Sequence, residues 1–168
     1  MTRRGTVSWM VGAGTIAAVG LALLPVSPAA GAVERMRVCD QNLPGYTKYV
    51  DAAEEGHSSG DSYMFTDKLL DPRTGRKAGR HIGQFTVVRP VGDTGPAGAV
   101  YLGRAMFFFP RGRVTIELAG PFDKLREGAS WPVTGGTGRY ENATGTVFVE
   151  SRKCDGKGGT IFAFDLQI

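Results

Sequence analysis

The sequence predicts an all-β domain closed into an eight-stranded antiparallel β-barrel and preceded by an export segment. Beyond about residue 33 the dominant apolar period is two rather than 3.6. The chain's 25 glycines fall largely between short apolar or alternating runs, which short turns join. About eight such runs are present, and eight is the strand number at which a closed barrel encloses packed side chains or one small ligand. Closure also removes exposed sheet edges. A two-sheet sandwich is the alternative architecture.

The first 32 residues read as a signal peptide. Arg3 and Arg4 give a positive start, a mostly apolar run follows, and Ala30-Gly31-Ala32 has the small-x-small form that signal peptidase accepts. Gly12, Gly14, Gly20 and Pro25 interrupt the run, which makes it a poor membrane-spanning helix; an uncleaved anchor is the competing reading. Arg3-Arg4 points toward the twin-arginine route, but Thr6 and Val7 stand where a bulky apolar pair is usual, so the route stays open. The expected mature chain is one domain, residues 33–168, secreted or otherwise extracytoplasmic, with no stable membrane anchor after cleavage.

Within that domain, Tyr46 to Ala53 is expected as a first strand and Asp61 to Leu70 as a second. Asp71-Pro72-Arg73-Thr74-Gly75 supplies the turn that follows, because Pro presets φ and Gly permits a positive one. Gly83 to Arg89 is expected as the third strand, and residues 90–96 as an irregular loop. Ala99 to Phe109 reads as a long fourth strand whose end, Met106 to Phe109, needs cover on both faces. Arg111-Gly112 turns the chain into Val114 to Leu118, where Glu117 should face away from Ile116 and Leu118. Ser130 to Val133, Thr146 to Ser151 and Thr160 to Ile168 complete the set.

The formal charge of +4 includes Arg3 and Arg4, and the remaining basic residues are scattered. This argues against a nucleic-acid partner. Gly156-Lys157-Gly158-Gly159 lacks the spacing, the Lys-Ser/Thr pair and the helix of a phosphate cradle. Two histidines, His57 and His81, stand without metal-ligand spacing, so no metal and no cofactor are expected. In an oxidising compartment the two cysteines, Cys39 and Cys154, read most economically as one disulfide, worth up to about 4.7 kcal/mol for a loop of roughly 100 residues. Two separate thiols are the alternative.

Val133-Thr134-Gly135-Gly136-Thr137-Gly138-Arg139-Tyr140, followed by Ala143-Thr144-Gly145, resembles the glycine signature shared by allene oxide cyclases and dirigent proteins. Gly60 to Leu69 is similar to the family's early strand, Gly79-Arg80-His81-Ile82-Gly83 to the glycine-bounded strand start of dirigents, and Leu118 to Phe122 to a cyclase segment. Ile161 to Leu166 resembles the family's aromatic last strand. The glycines also have a purely structural reading: they allow positive φ and close packing at a strand-to-strand turn.

The resemblance implies an apolar barrel interior that holds a small lipophilic molecule and steers its cyclisation or coupling, without cofactor, in the manner of an isomerase or cyclase. Tyr63, Phe65, Phe85, Tyr101, Phe107, Phe109, Phe148, Phe162 and Phe164 would supply rings to that interior. Each also fits a plain core role. Asp67 falls where the family carries Asn or Asp near the cavity mouth and is the first candidate for acid-base work, with a turn cap as the alternative. Glu54, with Glu55 beside it, and Arg80 are the further candidates. Phe85 and Thr144 stand where relatives carry a cysteine and an arginine, so the plant reactions do not transfer intact. The resemblance also implies a homo-trimer. A non-catalytic carrier of a lipophilic compound and a structural envelope module are the alternative functions.

Overall fold

The computed structural model describes residues 31–41, 47–52, 58–89, 99–121, 128–151 and 159–168, the Ser151 side chain excepted. The expected signal segment through residue 30, Glu54, Glu55, His57 and Cys154 lie outside these described residues, as does the loop expected at 90–96. Nine strands follow in order: β1 (Val33–Gln41), β2 (Thr47–Val50), β3 (Ser62–Leu70), β4 (Lys77–Arg89), β5 (Val100–Phe109), β6 (Gly112–Pro121), β7 (Ser130–Gly138), β8 (Thr144–Ser151) and β9 (Thr160–Gln167). All pairings are antiparallel, and the sheet runs β1-β9-β8-β7-β6-β5-β4-β3 before β1 meets β3 and closes it. The result is a closed eight-stranded barrel.

Two expectations about the strands are corrected. The barrel's first strand is β1, not the run beginning at Tyr46. The alternation in β1 is masked because its inner face carries Glu34 and Asp40 along with Met36 and Val38, while Arg35 and Arg37 face out. The short β2 continues the lane of β1 along the same edge of β3: Cys39 to Gln41 pair with Leu70 to Lys68, and Thr47 to Val50 pair with Phe65 to Ser62. The eight lanes therefore comprise nine strands. In addition, β4 starts at Lys77, six residues before Gly83, because Lys77 to Ile82 complete the hairpin with β3.

The turns follow their sequence chemistry. Asp71 Oδ1 accepts from the amides of Arg73 (2.8 Å) and Thr74 (3.0 Å), and Gly75 takes φ 66°. Pro110-Arg111 links β5 to β6. In the glycine signature, a Cβ on Gly136 would lie 2.2 Å from the Tyr140 carbonyl oxygen, and Gly138 has φ 62°. The chain there folds back onto its own backbone in a space that only glycine fits.

Alternation along the strands sends Val38, Leu69, Val87, Tyr101, Phe107, Val114, Ile116, Val147, Phe164 and Leu166 into one core. One end of that interior is fastened by Glu34, which accepts from Arg111 Nη2 and Arg139 Nε at 2.7 Å each. Burial pushes its carboxyl up, but the Arg139 hydrogen bond and the charges of Arg111 and Arg139 outweigh this and hold it below its ordinary value. These arginines lie on the β5–β6 and β7–β8 turns, so one acid of β1 ties two turns to its own strand.

Gly136→Ala is expected to destabilise the domain by about 1–3 kcal/mol or more, since backbone and not a side chain must move. Thr134→Ala, on the exposed face of the same strand, should lie within about 0.5 kcal/mol of wild type. Thermal melts of the two variants check this difference.

Candidate active site

Three adjacent lanes bring Asp40 of β1, Asp67 of β3 and His81 of β4 together inside the barrel. Asp67 is the direct cross-strand partner of His81, and Asp40 enters beside Leu69 at the closing seam. All three side chains are buried, with His81 1% exposed. One ligating atom from each lies within 4.8 Å of the others. His81 Nδ1 stands 3.9 Å from Asp40 Oδ1, too far for a direct hydrogen bond, and has no hydrogen-bond partner among the described residues. A water or ligand atom between them would give the imidazole nitrogen its partner.

The surroundings are aromatic. The His81 ring stacks on Phe107 at 5.2 Å and meets Phe65 (5.1 Å) and Phe162 (5.5 Å) edge to face. Phe107 in turn packs on Phe162 and Phe164, each with centroids 5.0 Å away. Burial in this apolar shell, reinforced by the nearby charge of Asp67, pushes the Asp40 carboxyl up to about 8. Burial alone brings His81 down to about 4. At neutral pH the group therefore holds a protonated carboxyl and a neutral imidazole. Among the described residues this is the one His/Cys/Asp/Glu cluster compact enough to consider for a metal ion. Ligands on one zinc-sized ion lie about 3–3.5 Å apart, so the 3.9 Å pair would have to close to share one.

Further along the inner face, Tyr63, Phe65, Phe85 and Tyr101 occupy successive inward positions of β3, β4 and β5. Phe65 and Phe85 stack at 5.1 Å. The Tyr63 and Tyr101 rings lie 6.0 Å apart, tilted by 52°, close enough for each phenol to influence the other. Beside them Asp61 accepts from Tyr49 Oη (2.7 Å), the amides of Ala52 (3.0 Å) and Ser58 (2.6 Å), and Ser58 Oγ (2.8 Å). The backbone donors in particular hold its carboxyl far below the usual range.

The structure thus brings Asp67 and eight of the nine expected rings, Tyr63, Phe65, Phe85, Tyr101, Phe107, Phe109, Phe162 and Phe164, to the inner face. It does not bring Phe148 there. Phe148 lies between the inward Val147 and Val149 and is 41% exposed on the outer face. Arg80 precedes the inward His81, so it too points outward, with its guanidinium 5.0 Å from the Phe108 ring. Glu117, as its alternation implies, is exposed and paired with Arg104. Asp40 and His81 are the residues that sequence reasoning missed. The inward alternation His81, Gly83, Phe85 was the available signal for His81, but its partners sit on other strands. Cys39 is buried at the outer side of the same seam, and its expected partner Cys154 lies outside the described residues.

Residues 46–155 match the allene oxide cyclase barrel-like domain. No curated protein matches the chain in sequence. Among solved structures, a pyocyanin demethylase superposes with a TM-score of 0.64 at 19% identity, covering 80% of this chain and 100% of the other. An exo-specific intermolecular Diels-Alderase gives 0.57 at 17% identity, with 81% and 98% covered. A pterocarpan synthase dirigent protein gives 0.56 at 18% identity, with 89% and 96% covered. With its closed eight-lane barrel and a family match that spans most of the strands, the chain belongs to the allene oxide cyclase barrel-like family.

Proposed function

We propose that the barrel binds a small hydrophobic molecule and moves a proton on it, steering a cyclisation or rearrangement without a cofactor. The observation that carries this reading is the burial of two carboxyl groups and an imidazole together among phenylalanines. Such burial costs stability, and perturbed acids gathered in an apolar interior are a mark of functional sites. Two neighbouring carboxyls that cannot both ionise freely hold a proton between them, so one gives a proton to a substrate atom while the other accepts one. Neutral His81 orients the reacting group through Nδ1. The surrounding rings exclude water and hold a flexible substrate in one conformation, which is what selects a stereochemical outcome. Pyocyanin demethylation, Diels-Alder reaction and pterocarpan synthesis, for which the similar structures are named, are all reactions of small organic molecules, and they support the ligand class.

The same proposal includes export, with cleavage after Ala32, which leaves β1 whole from Val33 onward, and a Cys39–Cys154 bridge that fastens the closing seam. Intact mass of the exported protein, with and without reduction, checks both: a chain starting at Val33 and a 2 Da gain on reduction are expected of one disulfide.

Catalysis is tested by exposing the exported protein to a lipophilic extract of its source and following retained and converted compounds by mass spectrometry. Wild type should retain and convert one compound. Asp67→Asn should retain it while losing about 10²–10⁴-fold in turnover. Retention with equal turnover removes Asp67 from the chemistry, and retention with no turnover by either protein favours the carrier function.

The protonation states also set a pH dependence of stability. The folded protein keeps the Asp40 proton up to about pH 8 whereas the unfolded chain releases it near its ordinary value of 3.8, so this contribution is full at low pH and is lost as pH rises through 8. His81 runs the other way: its contribution is present above 6.5 and lost as pH falls through about 4. The two oppose each other between about 4 and 6.5, leaving a net loss of about 1–2 kcal/mol from pH 6.5 to 8. Denaturant unfolding across this range should show that slope in wild type and not in Asp40→Asn; the same slope in both would refute the protonated Asp40.

A further inference from the structure

The inner face between Asp67 and the tyrosine pair has a shape that selects among hydrophobic ligands. Phe65 and Phe85 lean across neighbouring strands onto glycines: a Cβ on Gly83 would lie 2.3 Å from Phe65 Cζ, and one on Gly103 would lie 2.5 Å from Phe85 Cδ1. Leaning over a residue without a side chain lays each ring along the sheet, so its face borders the interior. The two rings are within 23° of parallel. Both remain partly exposed, whereas Phe107, deeper on the same inner face, is fully buried. Accessible ring faces on the inside of a closed barrel are a surface for another flat π system.

At one end of this platform stand the Tyr63 and Tyr101 hydroxyls, and at the other Asp67. Four residues of strand separate Tyr63 from Asp67, about 13 Å. That is the length of two or three linked or fused six-membered rings. Burial holds both phenols above their ordinary value, with Tyr101 up to about 12, so both stay neutral and able to donate. The Asp61 carboxylate behind them raises both further and makes this end unfavourable for an anion.

We propose that the site takes a planar, conjugated, uncharged molecule of two to three rings that lies on Phe65 and Phe85, its carbonyl-type oxygen accepting from the Tyr63–Tyr101 pair and its reacting end at Asp67. The assignment rests on the proton-transfer reading of the Asp40–Asp67–His81 group. Tyr63 and Tyr101 are then specificity-determining residues, whose hydroxyls supply the donors for an entering oxygen.

Three neutral probes separate the parts of the claim: flavone, which is conjugated and carries a carbonyl; 2-phenylnaphthalene, which is of like size and conjugation without oxygen; and 4-cyclohexylcyclohexanone, which carries the carbonyl without an aromatic system. Calorimetry on the full exported protein is expected to show flavone binding about tenfold tighter than either of the others, the worth of one hydrogen bond or one stacked ring. Tyr63→Phe combined with Tyr101→Phe should bring flavone down to the level of 2-phenylnaphthalene and leave the latter within about twofold. Phe85→Leu should weaken both aromatic probes and leave the saturated ketone unchanged. Asp67→Asn should leave flavone binding within about threefold. Equal binding of flavone and 2-phenylnaphthalene, or tyrosine variants that bind flavone as wild type does, overturns the assignment while leaving the Asp67 turnover test standing. No binding of any probe to the folded protein overturns the assignment and the ligand-binding reading together.

Discussion

Closure of the sheet by β1 is the constraint on which the rest depends. This strand pairs with β9 from Val33 to Asp40 and with β3 from Cys39 to Gln41, so one nine-residue segment removes both edges of the remaining sheet. Without it the interior would open to water along its length and the buried acids would ionise. The strand is also the source of two inward carboxyl groups, Glu34 at one end and Asp40 at the seam. Because it joins the start of the domain to its last strand, the chain must bring its two ends together before the interior exists. Such long-range pairing carries the loop-closure cost that slows β-barrel folding. On the outer face, Arg35 with Asp165 and Arg37 with Glu150 hold the register across β9 and β8. Exposed as they are, they serve to align the strands more than to stabilise them.

Among the described residues the interior holds carboxyl groups at three places, and these places meet the cost of burial differently. Glu34 is matched by two guanidinium groups. Asp61 is saturated by backbone and hydroxyl donors from the residues before β3. Both are structural solutions, in which the charged form is kept and fully used by the fold. At Asp40 and His81 the charged forms are given up instead. A group that is neutral because of its surroundings changes its proton affinity when those surroundings change, as they do when a ligand enters. That difference, rather than burial itself, separates the acid-base group from the two fastening sites.

How much of this was legible in the sequence varied from residue to residue. The turns at Asp71 to Gly75 and at Arg111-Gly112 could be read because their chemistry is local: an Asx side chain, a proline and a positive φ all act within five residues. The alternation of β3, β5 and β6 was legible for the same reason. With the aromatic runs of β4 and β9 it accounts for eight of the nine rings expected inside, whereas Asp67 was indicated by the resemblance to the family's early strand. Phe148 was misplaced because aromatic residues alone do not say which parity faces in; only the flanking Val147 and Val149, packed across from Phe164 and Phe162, decide it. β1 could not be read because charge at both ends of its inner face hides the hydrophobic period. Asp40 was hidden with it, and the Asp40–Asp67–His81 group needs the closing register, which no single segment contains.

The glycine signature and the acid group lie on different parts of the barrel. The signature occupies β7 and the turn into β8, three lanes from β1 and four from β3. Its glycines are explained by backbone crowding at Gly136 and by the positive φ at Gly138, and they place no side chain near His81. A sequence can therefore keep the segment that makes the barrel fold and change the side chains that β1, β3 and β4 turn inward, at no cost to closure. The similar barrels named as a demethylase, a Diels-Alderase and a pterocarpan synthase show one scaffold associated with different reactions. For this chain the chemistry has to be read from Asp40, Asp67 and His81 and from the rings beside them, because the motif that identifies the family constrains the backbone and leaves the reacting face free to vary.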